Sequence, residues 1–204
     1  RHAMVFAHAM AAAGLGFMSF LPFVLPPFLG LCLCSAMCAV GGGLLEVVVS
    51  PIVEALPGDE KAASMSLLHS FYSWGQMGVV ALSTLYFLLA GVANWRILPL
   101  FWMLVPLCNL FLSARVPFRK LVEEGKAVPV GQLFRKGAFW LFLAVMVCAG
   151  ASELAMSQWA SLFAEDGLKV SKTLGDLLGP CAFAVLMGLS RVFFGIMGSK
   201  IDLR

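Results

Sequence analysis

Six apolar stretches, each about as long as a bilayer is thick, follow one another with short polar breaks, and this pattern constrains the chain more than any motif. A hydrocarbon core is crossed by about 20 apolar residues in a helix, with a range of about 17–25. The stretches run from about Ala3 to Phe23, Phe28 to Ala55, Ser64 to Ala90, Trp95 to Ala114, Gly137 to Phe163 and Thr173 to Gly198. Pro22, Pro26 and Pro27 close the first, and Pro57-Gly58-Asp59-Glu60-Lys61 combines turn chemistry with charge after the second. Composition removes the alternative of a water-soluble core. The chain is 61% apolar and 12% charged, against about 45–50% and about 25% in soluble domains. The expected fold class is therefore an all-α membrane protein with about six transmembrane helices, and the first partner is the lipid bilayer.

Several function classes lose support at once. Net charge is +3 and the basic residues form no patch with interleaved aromatics, so no nucleic acid partner is expected. Protease, hydrolase and nucleotide-loop motifs are absent from the sequence, which argues against an enzyme, and no cofactor motif is present. The six cysteines all lie in apolar runs. Cys32, Cys34 and Cys38 resemble a metal spacing, but on a helix only Cys34 and Cys38 share a face, so they read as small residues lining a helix contact and no metal is expected.

The one long polar connection runs from Arg115 to Lys136 and divides the chain into residues 1–114, a linker at 115–136, and residues 137–204. Lysine and arginine alternate between the two sides with a strong bias. Ten fall with the linker (Arg1, Lys61, Arg115, Arg119, Lys120, Lys126, Arg135, Lys136, Lys200 and Arg204) and three on the other side (Arg96, Lys169 and Lys172). The positive-inside rule then makes the linker and both chain ends cytoplasmic. The sequence opens at Arg1-His2 and stops at Ile201-Asp202-Leu203-Arg204, which reads as the middle of a loop, so further helices of the same polypeptide are expected as partners.

Short loops, an even helix count and one long basic linker resemble the major facilitator superfamily, whose members carry twelve helices in two halves of six. Fitted to that pattern, the chain supplies the middle half, helices three to eight. The Gly-rich second stretch with its Pro57–Lys61 exit resembles the family's fourth helix, and Asn94-Trp95-Arg96 resembles the opening of the sixth. Gly195 to Arg204 resembles a cytoplasmic signature of the family, with Ser199, Lys200 and Arg204 in register and Asp202 and Leu203 departing from it. An internal echo agrees, because small residues lead into a lone glutamate both at Cys38–Glu46 and at Val147–Glu153. Glu46 and the polar third stretch look most like the fucose-permease and sugar-transporter branch. The resemblance implies secondary active transport in a plasma membrane, here a bacterial inner membrane. Protons and a small, sugar-like polar solute would be the partners.

Glu46 is the most informative residue. An acid at a helix centre costs about 2.5–3.5 kcal/mol on insertion scales, so it faces a cavity or a partner. A carboxyl that takes up a proton on one side and releases it on the other couples proton flow to a change of shape. Glu153 makes the same argument in the other half, and either acid has a plain alternative as a helix-helix hydrogen bond. His69, Tyr72 and Gln76 stand at i, i+3 and i+7 on one face, with Trp74 beside them. That face suits a sugar, with hydrogen-bonding groups and a flat ring, or simple interhelical bonding worth about 0.6 kcal/mol. His69, eight residues past Lys61, reads equally as a group near the cytoplasmic surface. Ser157 shares the face of Glu153, and Gln158 and Trp159 flank it, either extending the site or anchoring the outer interface. Asp176 and Arg191 mark the two ends of the sixth stretch and read as gating or interface charges. Lys200 and Arg204 are gating residues by the resemblance. Gly75 and Gly78, like Gly41 to Gly43, offer close helix approach. Two rival functions stay open: efflux by proton antiport, and a six-helix membrane scaffold.

Overall fold

A computed structural model describes residues 1–55, 61–116 and 129–197. Among these residues every regular element is helical. They are α1 (His2–Met18), α2 (Leu21–Val24), α3 (Pro27–Glu54), α4 (Lys61–Ala90), a 3-10 segment (Val92–Ile97), α5 (Leu98–Arg115), α6 (Val130–Leu133), α7 (Gly137–Leu168), α8 (Lys172–Asp176), a π turn (Leu177–Cys181) and α9 (Ala182–Met197). Five spans are long and apolar enough to cross a bilayer: α3, α4, Val92–Arg115, α7 and Lys172–Met197. The sixth, α1, has 17 residues and lies at the lower end of the spanning range.

Three boundaries differ from the sequence expectation. The first stretch is not one helix to Phe23. It breaks after Met18, because Pro22 cannot donate the amide hydrogen bond that would continue the ladder, and restarts as α2. The fifth runs on through Glu165 and Asp166 to Leu168, so the polar break expected between Phe163 and Thr173 is largely helix; Lys169, at φ 55°, ends it in the left-handed conformation. The sixth is interrupted by the π turn around Pro180, where the missing proline N–H widens the turn.

The described elements form two compact units. One contains α1, α2, α3, residues 85–90 of α4, the 3-10 segment and α5; the other contains residues 61–84 of α4 and α6 to α9. By chain order α4 precedes the linker, and most of it belongs by contact with the helices that follow the linker.

In the first unit α1 lies against α3 and α5. Small residues set the spacing. A Cβ on Gly14 would stand 2.7 Å from Cys38 Sγ and 2.9 Å from the Cys34 carbonyl oxygen, and one on Gly41 would stand 2.7 Å from the Ala7 carbonyl oxygen. The pairing of residue 14 with 34 and 38, and of residue 7 with 41, makes the two helices antiparallel. Cys34 is fully buried and Cys38 donates to the Ala11 carbonyl at 3.9 Å, so both face α1. Gly42, Gly43, Gly75 and Gly78 would meet nothing within 4 Å. The close approach of α1 and α3 therefore rests on Gly14 and Gly41 and not on Gly42 or Gly43, and Gly75 and Gly78 make none from α4 among the described residues.

At the proline end, Phe23 stacks on Trp95 at 6.0 Å and carries the Arg96 guanidinium 4.9 Å above its ring. Gly91, at φ 78°, makes the turn that delivers Trp95 and Arg96 there.

In the second unit α9 runs antiparallel to α4. Gly195 packs on Leu67 and Gly188 on Ser73 and Trp74. Gly175 and Gly179 pack on Ser161 and Ala160 of α7. Substituting Gly41 by Ala should lower the stability of the protein to heat in detergent by about 1–3 kcal/mol, because the new methyl group meets backbone. Gly42→Ala should leave it unchanged or raise it, since only helix propensity changes. Melting curves of the two variants, followed by intrinsic fluorescence, check the contrast.

Candidate functional site

The second unit brings together most of the polar side chains. Ser66, Ser70 and Ser73 recur on α4 at steps of four and three, which places them on one face. Ser70 and Ser73 are buried. Ser70 and Ser73 donate back to the carbonyls of Leu67 and His69, the usual way a hydroxyl satisfies itself within a helix.

Arg191 of α9 faces this stripe from between Gly188 and Gly195. The bare glycine backbone lets α9 approach α4, and the guanidinium fills the remaining depth. Arg191 Nη1 donates to the His69 carbonyl at 2.8 Å and to Ser73 Oγ at 3.1 Å. Ser66 Oγ donates to the Arg191 carbonyl at 2.7 Å. Nη2 reaches Glu153 Oε2 of α7 at 3.4 Å, with the two side chains 25% and 30% exposed. The Tyr72 ring centre lies 6.0 Å from the guanidinium carbon. One arginine thus joins three helices.

A second cluster closes the far end of the same contact. Asp176 of α8, its side chain 13% exposed, accepts from Thr84 of α4 at 3.2 Å, from Lys172 at 3.2 Å and from Ser161 of α7 through a short bond. Ser161 Oγ also lies 3.1 Å from Glu165 Oε1. It carries one proton and donates to one acid at a time. Lys172 bridges the two acids, with Glu165 at 3.6 Å. Along α4, Ser73 and Thr84 are separated by roughly 16 Å at 1.5 Å per residue, so α4 is pinned to its neighbours at two levels.

The expected site residues divide accordingly. Glu153, Arg191, Tyr72 and His69 meet, though His69 joins through its backbone carbonyl. Trp74 packs on Gly188 and takes no part in the polar group. Gln76 has its Oε1 buried with no partner among the described residues. Among the described residues Ser157 bonds only back to the Leu154 carbonyl. Gln158 and Trp159 are exposed, Trp159 lining a shallow apolar depression with Leu162 and Phe163. Glu46 lies in the first unit, exposed on α3, and its carboxylate has no partner among the described residues. Lys200 and Arg204 lie outside the described residues.

Ser66, Ser73, Thr84, Ser161, Glu165 and Lys172 were not expected as site residues. The four-three spacing of Ser66, Ser70 and Ser73 was the available signal, since small hydroxyl residues at helical spacing mark contacts within a bilayer.

The family model of the Major Facilitator Superfamily matches residues 1–204. The chain belongs to the major facilitator superfamily. No curated protein and no solved structure gives a match. Membership makes this a multi-pass membrane transporter of that superfamily, in agreement with the all-α fold and the apolar spans.

For this superfamily member the Asp176 cluster is a structural hold as well as a candidate gate. Asp176→Asn keeps the shape and removes the charge that Lys172, Ser161 and Thr84 address. It should lower stability in detergent by about 1–3 kcal/mol, while Gln158→Ala, an exposed position, should stay within about 0.5 kcal/mol of wild type. Thermal unfolding of both variants is the check.

Proposed function

We propose that this transporter carries a sugar or similar small polar solute together with protons by alternating access, with Glu46 as the coupling acid. The observation that carries the reading is the setting of Glu46: a carboxylate, unpartnered among the described residues, in the interior of the 28-residue apolar helix α3, whose other acid, Glu54, stands at its last position. A permanent charge there is expensive, and proton uptake removes it. Glu153 is the second acid of the scheme. Tyr72, Gln76 and the hydroxyl stripe of α4 provide the hydrogen-bonding and aromatic surface that a polyol needs. His69, Trp74, Ser157, Gln158 and Trp159 are the further candidates for the solute path, and Asp176, Arg191, Lys200 and Arg204 for gating.

In this reading the chain supplies helices three to eight. Residues 1–114 belong to one half, 115–136 form the cytoplasmic linker, and 137–204 open the other half, in a bacterial inner membrane. The contact of α4 with α8 and α9 supports it, because a helix from before the linker is held to helices from after it by polar groups at two levels. Such contacts can open and reform without exposing a large apolar surface.

Uptake of a labelled sugar panel by vesicles holding the full-length protein, under an imposed pH gradient, tests the proposal. Gradient-driven accumulation in wild type that falls at least roughly tenfold in Glu46→Gln, with solute exchange retained, is the expected result. Undiminished accumulation in the variant makes Glu46 structural. No accumulation of any sugar in wild type turns the reading toward efflux or another solute class.

A further inference from the structure

We propose that Arg191 is the binding point for a carboxylate on the transported solute, and that proton uptake by Glu153 vacates its guanidinium for that carboxylate. The inference rests on the proton-symport reading and narrows its solute from a neutral sugar to an acid of similar size. Its ground is the uneven way in which Arg191 is held. Nη1 is fixed by two short bonds, to the His69 carbonyl at 2.8 Å and Ser73 Oγ at 3.1 Å. Nη2 meets Glu153 at 3.4 Å, well beyond the roughly 2.7–2.9 Å of a tight charged pair. Nε has no partner among the described residues. The guanidinium therefore keeps its place when Glu153 lets go. What Glu153 leaves is the Nε–Nη2 edge, whose two parallel N–H groups match the two oxygens of a carboxylate.

Charge balance selects an anion. With Glu153 ionised, the pair sums to zero. A proton on Glu153 leaves Arg191 as an uncompensated cation in an apolar span, which is costly. A neutral polyol does not offset that charge, whereas a monoanion restores the sum to zero. One proton and one carboxylate then enter and leave together, and the step moves no net charge. Among the described residues the groups that face the pair are few. From α4 come the His69 carbonyl and Tyr72, the latter 6.0 Å from the guanidinium. From α9 there is Arg191 itself. On α7, Glu153 is the only charged residue between Lys136 and Glu165. Ser73, buried beneath Nη1, fixes the depth at which the fork stands.

Matched solutes that exchange a CH2OH for a carboxylate, glucose with glucuronate and glycerol with glycerate, test this on the full-length protein in detergent. Binding is read by thermal shift and titration calorimetry. At least one acid should bind more tightly than its neutral partner, and more tightly still as pH falls from about 7.5 to about 5.5, where both acids stay ionised. Arg191→Gln should weaken that acid roughly 10- to 100-fold. Glu153→Gln, which is nearly isosteric and guards against a folding defect at Arg191, should bind the acid at least as well as wild type and lose the pH dependence. Equal binding of acid and neutral partner, binding of neither acid, acid affinity within twofold of wild type in Arg191→Gln, or an unchanged pH dependence in Glu153→Gln each overturns the proposal. The two readings separate in vesicles. Gradient-driven uptake of glucose without glucuronate binding leaves proton symport standing and removes this site. Glucuronate binding that depends on Arg191 and Glu153, without gradient-driven uptake, leaves the site standing and removes symport.

Discussion

Close approach of helix backbones, made possible by glycine, alanine, serine and cysteine, is the constraint on which the rest of this structure depends. In lipid a leucine gains little by leaving the solvent for a neighbouring helix, because both surroundings are hydrocarbon. What remains is van der Waals contact between backbones and the hydrogen bonds that such contact permits. The buried apolar residues here are accordingly small, with Ala7, Ala12, Cys34 and Ala184 inside. Large side chains such as Phe28, Leu89 and Phe163 point outward. Gly14 against Cys38 and Gly188 against Ser73 are the same solution on different helix pairs.

That solution shapes the polar groups as well. A contact lined by serines that already bond to their own helix, as Ser70 and Ser73 do, leaves no unsatisfied donor when the neighbouring helix moves away. Arg191 is different, because its partners come from α4 and α7, so separating α9 from them requires the guanidinium to find other acceptors. The Asp176 cluster behaves in the same way, with Lys172 free to shift between two acids. The helix contact is thus weak along its length and specific at two points. An element that must hold in one state and release in another is well served by such a contact.

Much of the fold was legible in the sequence because spanning length and hydropathy are properties of contiguous residues. The interiors of α3, α4 and α7 fall where the apolar runs lie, and the proline break after Met18 and the π turn at Pro180 are local effects that a run-length argument smooths over. The extension of α7 past Glu165 is not legible from charge alone, since Glu165 gains Ser161 and Lys172 as neighbours on a continuing helix end. The polar site was half legible. Lone charges in apolar runs, Glu153 and Arg191, stood out for their cost. Ser73, Thr84 and Ser161 did not, since a serine in a bilayer helix costs little and its role depends on what faces it. The pairing of Arg191 with residues more than a hundred positions away is tertiary information, and no spacing within one helix contains it.

The echo between Cys38–Glu46 and Val147–Glu153 shows how similar local sequence diverges in its physics. Both acids follow small residues in an apolar helix. Glu153 meets a cation, and Glu46 meets none among the described residues. For an acid beside a cation, ionisation is offset, and a proton on it turns a balanced pair into a net positive site. For an acid alone, ionisation is the costly state and a proton relieves it. The same proton therefore has opposite electrostatic consequences at the two positions, creating a charge in one and removing it in the other. A transporter that loads both would change the charge of each site in the same sense, and only the Arg191 site would then call for an anion to come with the proton.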